Sequence, residues 1–249
     1  MKVLELFSGT GSVGKVCKIL GYDCLSLDKD MEADIKIDIM DWNYKKYQPK
    51  EFNIIWASPP CTSYSHLQNC WLGRKKKDGI IFTKEILEEN RKESDKIVKR
   101  TLEIIDYFKP DLYFIENPQT GTLKSRDVMK DKPYYDVDYC MYSNWGYQKR
   151  TRIWTNKENF KPLKCNGNCG NIITVPTNGS IHTGYKTPIK SDIRKIHSNP
   201  LGDHNKVKLA RLHKNNLGNT ERKKKTNGKS LSLHDRYRIP EKLILSLFN

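Results

Sequence analysis

Near its N-terminus the chain reads Leu4-Glu5-Leu6-Phe7-Ser8-Gly9-Thr10-Gly11-Ser12-Val13-Gly14, and this segment constrains the fold more than any other. An apolar run of strand type leads into glycines spaced G-x-G-x-x-G, and Val13 to Leu20 follows at helical spacing. Cys24-Leu25-Ser26-Leu27 supplies a second strand, so the segment is one βαβ unit and implies a parallel sheet. Glycines so placed let backbone approach a ligand. The helix N-terminus is expected to offer free N–H groups, and Asp28 at the second strand end is placed to accept hydrogen bonds from ribose hydroxyls. Phe7, Ser8, Gly9, Thr10, Gly11 and Asp28 are therefore candidate cofactor-binding residues. A nicotinamide dinucleotide and S-adenosylmethionine both satisfy such a turn.

Two further apolar runs end in turn-rich loops: Phe52 to Ala57 before Ser58-Pro59-Pro60-Cys61, and Asp111 to Ile115 before Glu116-Asn117-Pro118. Between them Ile97, Thr101, Ile104, Ile105 and Phe108 fall at helical spacing, predicting a crossover helix stopped by Pro110. Open α/β sheets keep their ligands at the carboxyl ends of the strands. Cys61 is thus a candidate nucleophile and Glu116 a candidate acid, and Gln148-Lys149-Arg150-Thr151-Arg152 adds two alternating arginines before Ile153-Trp154. Taken singly these are a turn with an inert thiol, a capping acid and a solvated charge run. Their occurrence in order on successive strand ends argues for one site.

The charge divides the chain. Of a net +16 over 249 residues, positions 157 to 230 hold 16 Lys and Arg against 4 Asp and Glu, whereas positions 1 to 156 hold 26 against 23. A surplus so concentrated points to a polyanionic partner. From Lys157 the periodic apolar pattern dissolves into a loop-rich basic region, and a last helix starting near Pro240 is expected to return to the first domain. The expected division is a catalytic domain of residues 1 to 156 with 231 to 249, and a basic recognition region of residues 157 to 230. No apolar run approaches the roughly 20 residues of a membrane span, Glu5 interrupts a signal-peptide reading, and seven cysteines without such a signal do not make a secreted disulfide framework. A soluble, intracellular chain with reduced thiols is expected. Cys165-x₃-Cys169 followed by His182, with His197, His204 or His213 available, would make a structural zinc knuckle in a region poor in apolar residues.

With these motifs in order, the chain resembles the DNA (cytosine-5)-methyltransferase family, and is most similar to the compact enzymes of large DNA viruses such as iridoviruses. Phe7 to Gly11 resembles the family's Phe-x-Gly-x-Gly motif, Pro60-Cys61 its nucleophile motif, Glu116-Asn117 its Glu-Asn-Val motif and Gln148 to Arg152 its Gln-x-Arg-x-Arg motif; Arg236-Tyr237-Arg238-Ile239-Pro240 is a weaker match. The resemblance implies an α/β, Rossmann-like fold that depends on S-adenosylmethionine, with helices on both faces of a mostly parallel sheet and a small irregular target-recognition lobe. It also implies roles. Cys61 would add to C6 of a cytosine flipped out of duplex DNA, Glu116 would protonate N3, and Arg152 would contact O2 and help hold Glu116. Arg150 and Gln148 would order the active-site loop, Pro60 would border the cofactor, Asp38 would lie near its adenine, and Thr62 to Phe82 would form a loop closing over DNA. The chain would act as a monomer, in the cytoplasm or host nucleus if viral. Thr62 stands where the family often has Gln, Pro118 where it has Val, and no clear Gly-Asn-Ser-Val element closes the cofactor pocket. A tRNA cytosine-5 methyltransferase of the same fold and a non-catalytic DNA-binding relative are the alternatives.

Overall fold

A computed structural model describes residues 1–76, 78–177, 192–198 and 237–249. The chain divides into two compact units, one of Met1–Val137, Arg150–Pro162 and Leu233–Asn249, the other of Asp138–Lys149 and Leu163–Ser232. The second unit thus takes in Asp138–Lys149, which the sequence reading grouped with the first half.

The first unit is built on a seven-stranded sheet in the order β3-β2-β1-β4-β5-β7-β6. Its strands are β1 (Lys2–Leu6), β2 (Asp23–Asp28), β3 (Ile35–Lys36), β4 (Ile54–Ala57), β5 (Leu112–Pro118), β6 (Tyr134–Asp138) and β7 (Arg150–Thr155). β1 pairs in parallel with β2 and β4, β4 with β5, and β2 with β3, while β7 runs antiparallel to β5. The chain begins at β1 and leaves it for β2 on one side and β4 on the other. That reversal lies between β1 and β4, and open α/β sheets keep their ligands at the carboxyl ends of the strands at such a point.

Alternation along the central strands decides which helix covers which face. Leu4, Leu6, Ile55, Ala57, Ile115 and Trp154 join Val98, Ile104 and Phe108 of α2 (Lys84–Phe108) in one core. α1 (Ser12–Leu20) packs with α3 (Glu241–Phe248), whose Phe248 stacks on Phe114 and leans on Trp56. Phe248 is 6% exposed, so its truncation to Ala removes about 3–5 kcal/mol. The expected crossover helix is α2. Thr83 caps its start by accepting from Ile86 N–H, and Lys109, at φ +46, ends it before Pro110. The C-terminal helix returns to the first unit, where the N–H of Ile239 donates to Ser12 Oγ at the start of α1.

In the second unit the expected irregular region contains regular structure: β8 (Ile172–Thr177) and β9 (Asp192–His197) pair antiparallel over six residues. The β-branched run Ile172-Ile173-Thr174-Val175 carries the strand propensity that Gly, Asn and Pro on either side concealed.

Candidate active site

Three loops meet at the carboxyl edge of the sheet of the first unit. The first follows β1. Phe7, Gly9 and Gly11 all have positive φ, at 59°, 53° and 64°, so the turn is built from left-handed residues that only glycine adopts without strain. Among the described residues, beyond Gly11's own chain neighbours, no atom lies within 4 Å of where a Cβ on Gly11 would stand, so the space above that residue is open. Asp28 Oδ2 accepts from Gly9 N–H at 2.9 Å, and Oδ1 accepts from Asp30 and Met31 N–H. Asp38 Oδ1 accepts from Met40 N–H, and its Oδ2 lies 3.4 Å from Lys29 Nζ.

The helix N-terminus differs from the sequence expectation. Glu5, 2% exposed inside β1, turns its carboxylate up under α1 and accepts from Val13 N–H at 3.2 Å and Gly14 N–H at 2.9 Å. These N–H groups are therefore not free for a ligand. Burial pushes the Glu5 carboxyl up to about 7, against the opposing pull of the two N–H groups and of Lys15. A dinucleotide's pyrophosphate needs that same helix end and would meet a carboxylate there, so the turn disfavours one of the two cofactors that the glycines allowed. An acidic residue at an inward position of an otherwise apolar strand was the available signal.

The second loop follows β4. The indole N–H of Trp56 donates to Ser58 Oγ, and the buried Asn117 donates from Nδ2 to the carbonyl of Pro59 at 2.9 Å, tying the end of β5 to the turn that presents Pro60 and Cys61. Beyond Cys61, the buried Tyr64 donates its hydroxyl to Asp95 Oδ1 and accepts at its carbonyl from Thr122 N–H. Arg126 closes this brace, pairing with Asp95 at 2.6 Å and with Glu88 at 2.6 Å. Cys61 thus sits on a loop pinned to β5, to α2 and to the turn after β5. None of Tyr64, Asp95, Arg126 or Glu88 was legible in the sequence, because each acts through a partner far along the chain.

The third loop follows β5. The register Ala57↔Ile115 sets Glu116 at the carboxyl end of the strand next to β4, and Glu116 is buried. β7 runs back beside β5 with Asn117 facing Arg152 and Glu116 facing Ile153. Arg152 makes a two-pronged ion pair with Asp136, Nε to Oδ1 at 2.7 Å and a terminal nitrogen to Oδ2 at 2.9 Å, and its guanidinium lies 3.5 Å from the centre of the Tyr134 ring. In this arrangement it braces β6 against β7. Arg150, at the open end of β7, is exposed, and its carbonyl accepts from Gln119 N–H. Gln148 belongs to the second unit, where its Nε2 donates to Asp138 Oδ2.

The segment Tyr237–Pro240 also reaches the first loop. The Cβ of Tyr237 lies 4.0 Å from where a Cβ on Gly9 would stand, so this segment borders the cofactor turn for which no Gly-Asn-Ser-Val element was found. Thr62 to Phe82 forms a 3-10 turn at His66–Trp71 followed by a short hairpin bridged at Lys75 and Ile81, with Leu67, Trp71, Ile80 and Ile81 exposed. Among the zinc candidates, Cys165, Cys169 and His197 come together with Cys140, which the sequence reading did not include; His182, His204 and His213 lie outside the described residues.

A parallel sheet reversing between β1 and β4, a last antiparallel strand inserted beside β5, and a glycine turn whose helix is capped by an internal carboxylate define the Rossmann-like methyltransferase class. No family model matches the chain. It is 40% identical over 183 residues, 72% of its own length and 82% of the relative's, to a protein of frog virus 3 (isolate Goorha) named "Probable DNA (cytosine-5)-methyltransferase", and it belongs to the DNA (cytosine-5)-methyltransferase family. Among solved structures it is similar to the Entamoeba histolytica methyltransferase EhMeth (TM-score 0.44, 15% identity) and the S. pombe Dnmt2 methyltransferase (TM-score 0.40, 14% identity), each over 66% of this chain. It spans about half the length of those two chains, 55% and 51%. Among the described residues no helix is long and apolar enough to cross a membrane.

Proposed function

We propose that this chain methylates carbon 5 of cytosine in duplex DNA, with Cys61 as nucleophile, Glu116 as acid and S-adenosylmethionine as methyl donor. The observation that carries the reading is the convergence of the glycine turn, the Cys61 loop and Glu116 on the carboxyl ends of adjacent strands β1, β4 and β5, with the Asn117–Pro59 bond tying the last two loops together. One chain supplies all three groups, so a monomer suffices.

The residues of the first loop suit the donor. Ser8 Oγ is buried without a hydrogen-bond partner among the described residues, the space above Gly11 is open, and Asp28 and Asp38 present carboxylates at the same edge. Bound there, S-adenosylmethionine supplies a sulfonium methyl. Cytosine C5 is too weak a nucleophile to take that methyl unaided. The Cys61 thiolate adds to C6, forming the S–C6 bond and pushing electrons into the ring, and Glu116 delivers a proton to N3 as they arrive. The ring would then be enamine-like, so that C5 could take the methyl of a donor held at the first loop as the donor's S–CH3 bond breaks and S-adenosylhomocysteine leaves. Loss of the C5 proton to a base drives the C6–S bond to break and returns Cys61; no residue in the described structure is assigned to that proton. The ring faces from which a thiol must reach C6 and a methyl must reach C5 are covered by stacking inside a duplex, so the base is flipped out to reach Cys61, and the basic loop Arg74 to Lys76 with exposed Trp71 suits closure over the vacated strand.

The basic segment 157 to 230, with its 16 Lys and Arg, is assigned to DNA contact and target recognition. Transfer of tritium from labelled S-adenosylmethionine tests the reading. Label in duplex DNA and not in tRNA is the expected result; label in tRNA alone would assign the chain to the RNA-modifying branch of the fold, and label in neither would make it a non-catalytic relative.

A further inference from the structure

Cys140, Cys165, Cys169 and His197 each offer one ligand atom, and the four atoms lie within 4.8 Å of one another. Cys165 Sγ is 3.7 Å from His197 Nε2 and Cys169 Sγ is 3.5 Å from it. In a tetrahedral zinc site with Zn–S near 2.3 Å and Zn–N near 2.05 Å, the S···N edge comes to about 3.6 Å. The four groups are spaced around a centre that would hold an ion. All three cysteines are free thiols, and an S–S bond would need sulfurs about 2.05 Å apart.

We propose that the second unit holds one zinc ion, bound by the Sγ atoms of Cys140, Cys165 and Cys169 and by Nε2 of His197, as a closed structural site. The ligands come from three places in the chain: the 3-10 turn Tyr139–Met141 that follows β6, the loop from Cys165 to Cys169, and the last residue of β9. Apart from hydrogen bonds made by Asp138, Tyr142 and Asn171, little apolar burial joins the later of those places. From Leu163 onward Ile196 is the only buried hydrophobic side chain of this unit among the described residues, and an isolated two-stranded ribbon is marginal in water.

The surroundings of the ligands are arranged as zinc sites require. Gly167, at φ +86, turns its N–H onto Cys165 Sγ at 3.4 Å, a bond that stabilises a thiolate. Asp138 Oδ2 accepts from Cys165 N–H at 2.7 Å. The two N–H groups of the Asn171 side-chain amide are shared among the carbonyls of Cys140, Ser143 and, at the longer distance of 3.3 Å, Cys169, linking two ligand-bearing backbones. Outer partners of this kind orient ligands and are part of a working site. Three thiolates and one imidazole, with no carboxylate and no fourth position left for water, select zinc in a structural role over magnesium, calcium or a catalytic metal. The proposal does not depend on methylation, because it concerns metal content.

The test uses the full chain, purified without chelator from zinc-replete cells. Elemental analysis is expected to find about one zinc per chain, Cys169→Ser to lose it, and Cys70→Ser, which alters an exposed cysteine that is not one of the four ligands, to keep it. Alkylation followed by mass spectrometry guards against a variant that merely fails to fold. In native wild type Cys70 should react at once while Cys165 and Cys169 stay protected, and a zinc chelator should expose both together. Zinc at trace level in the wild type, or Cys165 and Cys169 reacting as fast as Cys70 before chelation, would overturn the proposal.

Discussion

The two units of this chain are held by different physics. The first buries nearly all of its central strands between helices, with Val3, Leu4, Ile54, Ile55 and Ile115 fully enclosed, and carries its chemistry on loops at the strand ends. The second buries Tyr139, Tyr142 and Tyr147 near its start, but from Leu163 onward only Ile196 among the described residues, and what gathers around that later stretch is polar: three thiols, an imidazole, Asp138 and Asn171. A sheet stabilised by apolar burial can hold loops rigidly enough to do chemistry. A basic segment has less apolar side chain to bury, and the proposed metal would supply another form of cross-link.

If the first unit alone binds the donor, a change confined to its glycine turn should remove donor binding and leave the second unit intact. Gly11→Val puts a Cβ into the open space at a residue with φ +64, where a β-branched side chain is also strained. Calorimetry is expected to lose the S-adenosylmethionine signal while circular dichroism keeps the fold and zinc content is unchanged. Full affinity in a folded variant would place the pocket elsewhere.

A smaller effect is expected at Glu5. Its carboxyl ordinarily titrates at 4.5 and is pushed up to about 7 by burial, so folding favours the neutral form. The stability this contributes is complete below pH 4.5 and is lost as pH rises through 7, a change of about 3 kcal/mol at most. Thermal melts of wild type against Glu5→Gln should therefore converge or cross as pH rises over that window. A difference independent of pH would mean that Glu5 stays charged throughout. Because the carboxyl caps α1 directly beneath the glycine turn, donor affinity should follow the same pH window.

The smallest effect is expected in the second unit, from Arg222-Lys223-Lys224-Lys225 changed together to Ala. Removing one cation from a phosphate should lower the salt slope of DNA binding by about 0.9 and weaken all sequences alike, leaving the methylated sequence unchanged. An unaltered slope would show these four to be a solvated run.

The same contrast governs what the sequence discloses. The glycine turn, the loops after β4 and β5, the end of α2 before Pro110 and the returning C-terminal helix are all marked by local residue order, because each depends on turn chemistry or on a periodic apolar face. Glu5, Asn117, Asp136 and the brace of Tyr64, Asp95 and Arg126 act across the fold, and nothing adjacent in sequence announces their partners. Cys140 shows this most clearly. It lies 25 residues before Cys165 in a stretch that reads as ordinary α/β, and only the fold brings it to the other two thiols. The segment Tyr237–Pro240, only a weak motif match in sequence, is likewise brought to the glycine turn by the packing of α3 against α1 and by the Ile239–Ser12 hydrogen bond.

The central claim is that the thiol on the first unit attacks the base, and duplex DNA containing 5-fluorocytosine in the recognised sequence tests it directly. Fluorine at C5 cannot leave as a proton does, so after methyl transfer the S–C6 bond has no route to break. With S-adenosylmethionine present, wild type is expected to form a protein–DNA adduct that survives denaturing electrophoresis and maps by peptide mass to Cys61, and Cys61→Ser is expected to form none. An adduct that persists in Cys61→Ser, or a wild type that methylates unmodified DNA yet is never trapped, would contradict the account.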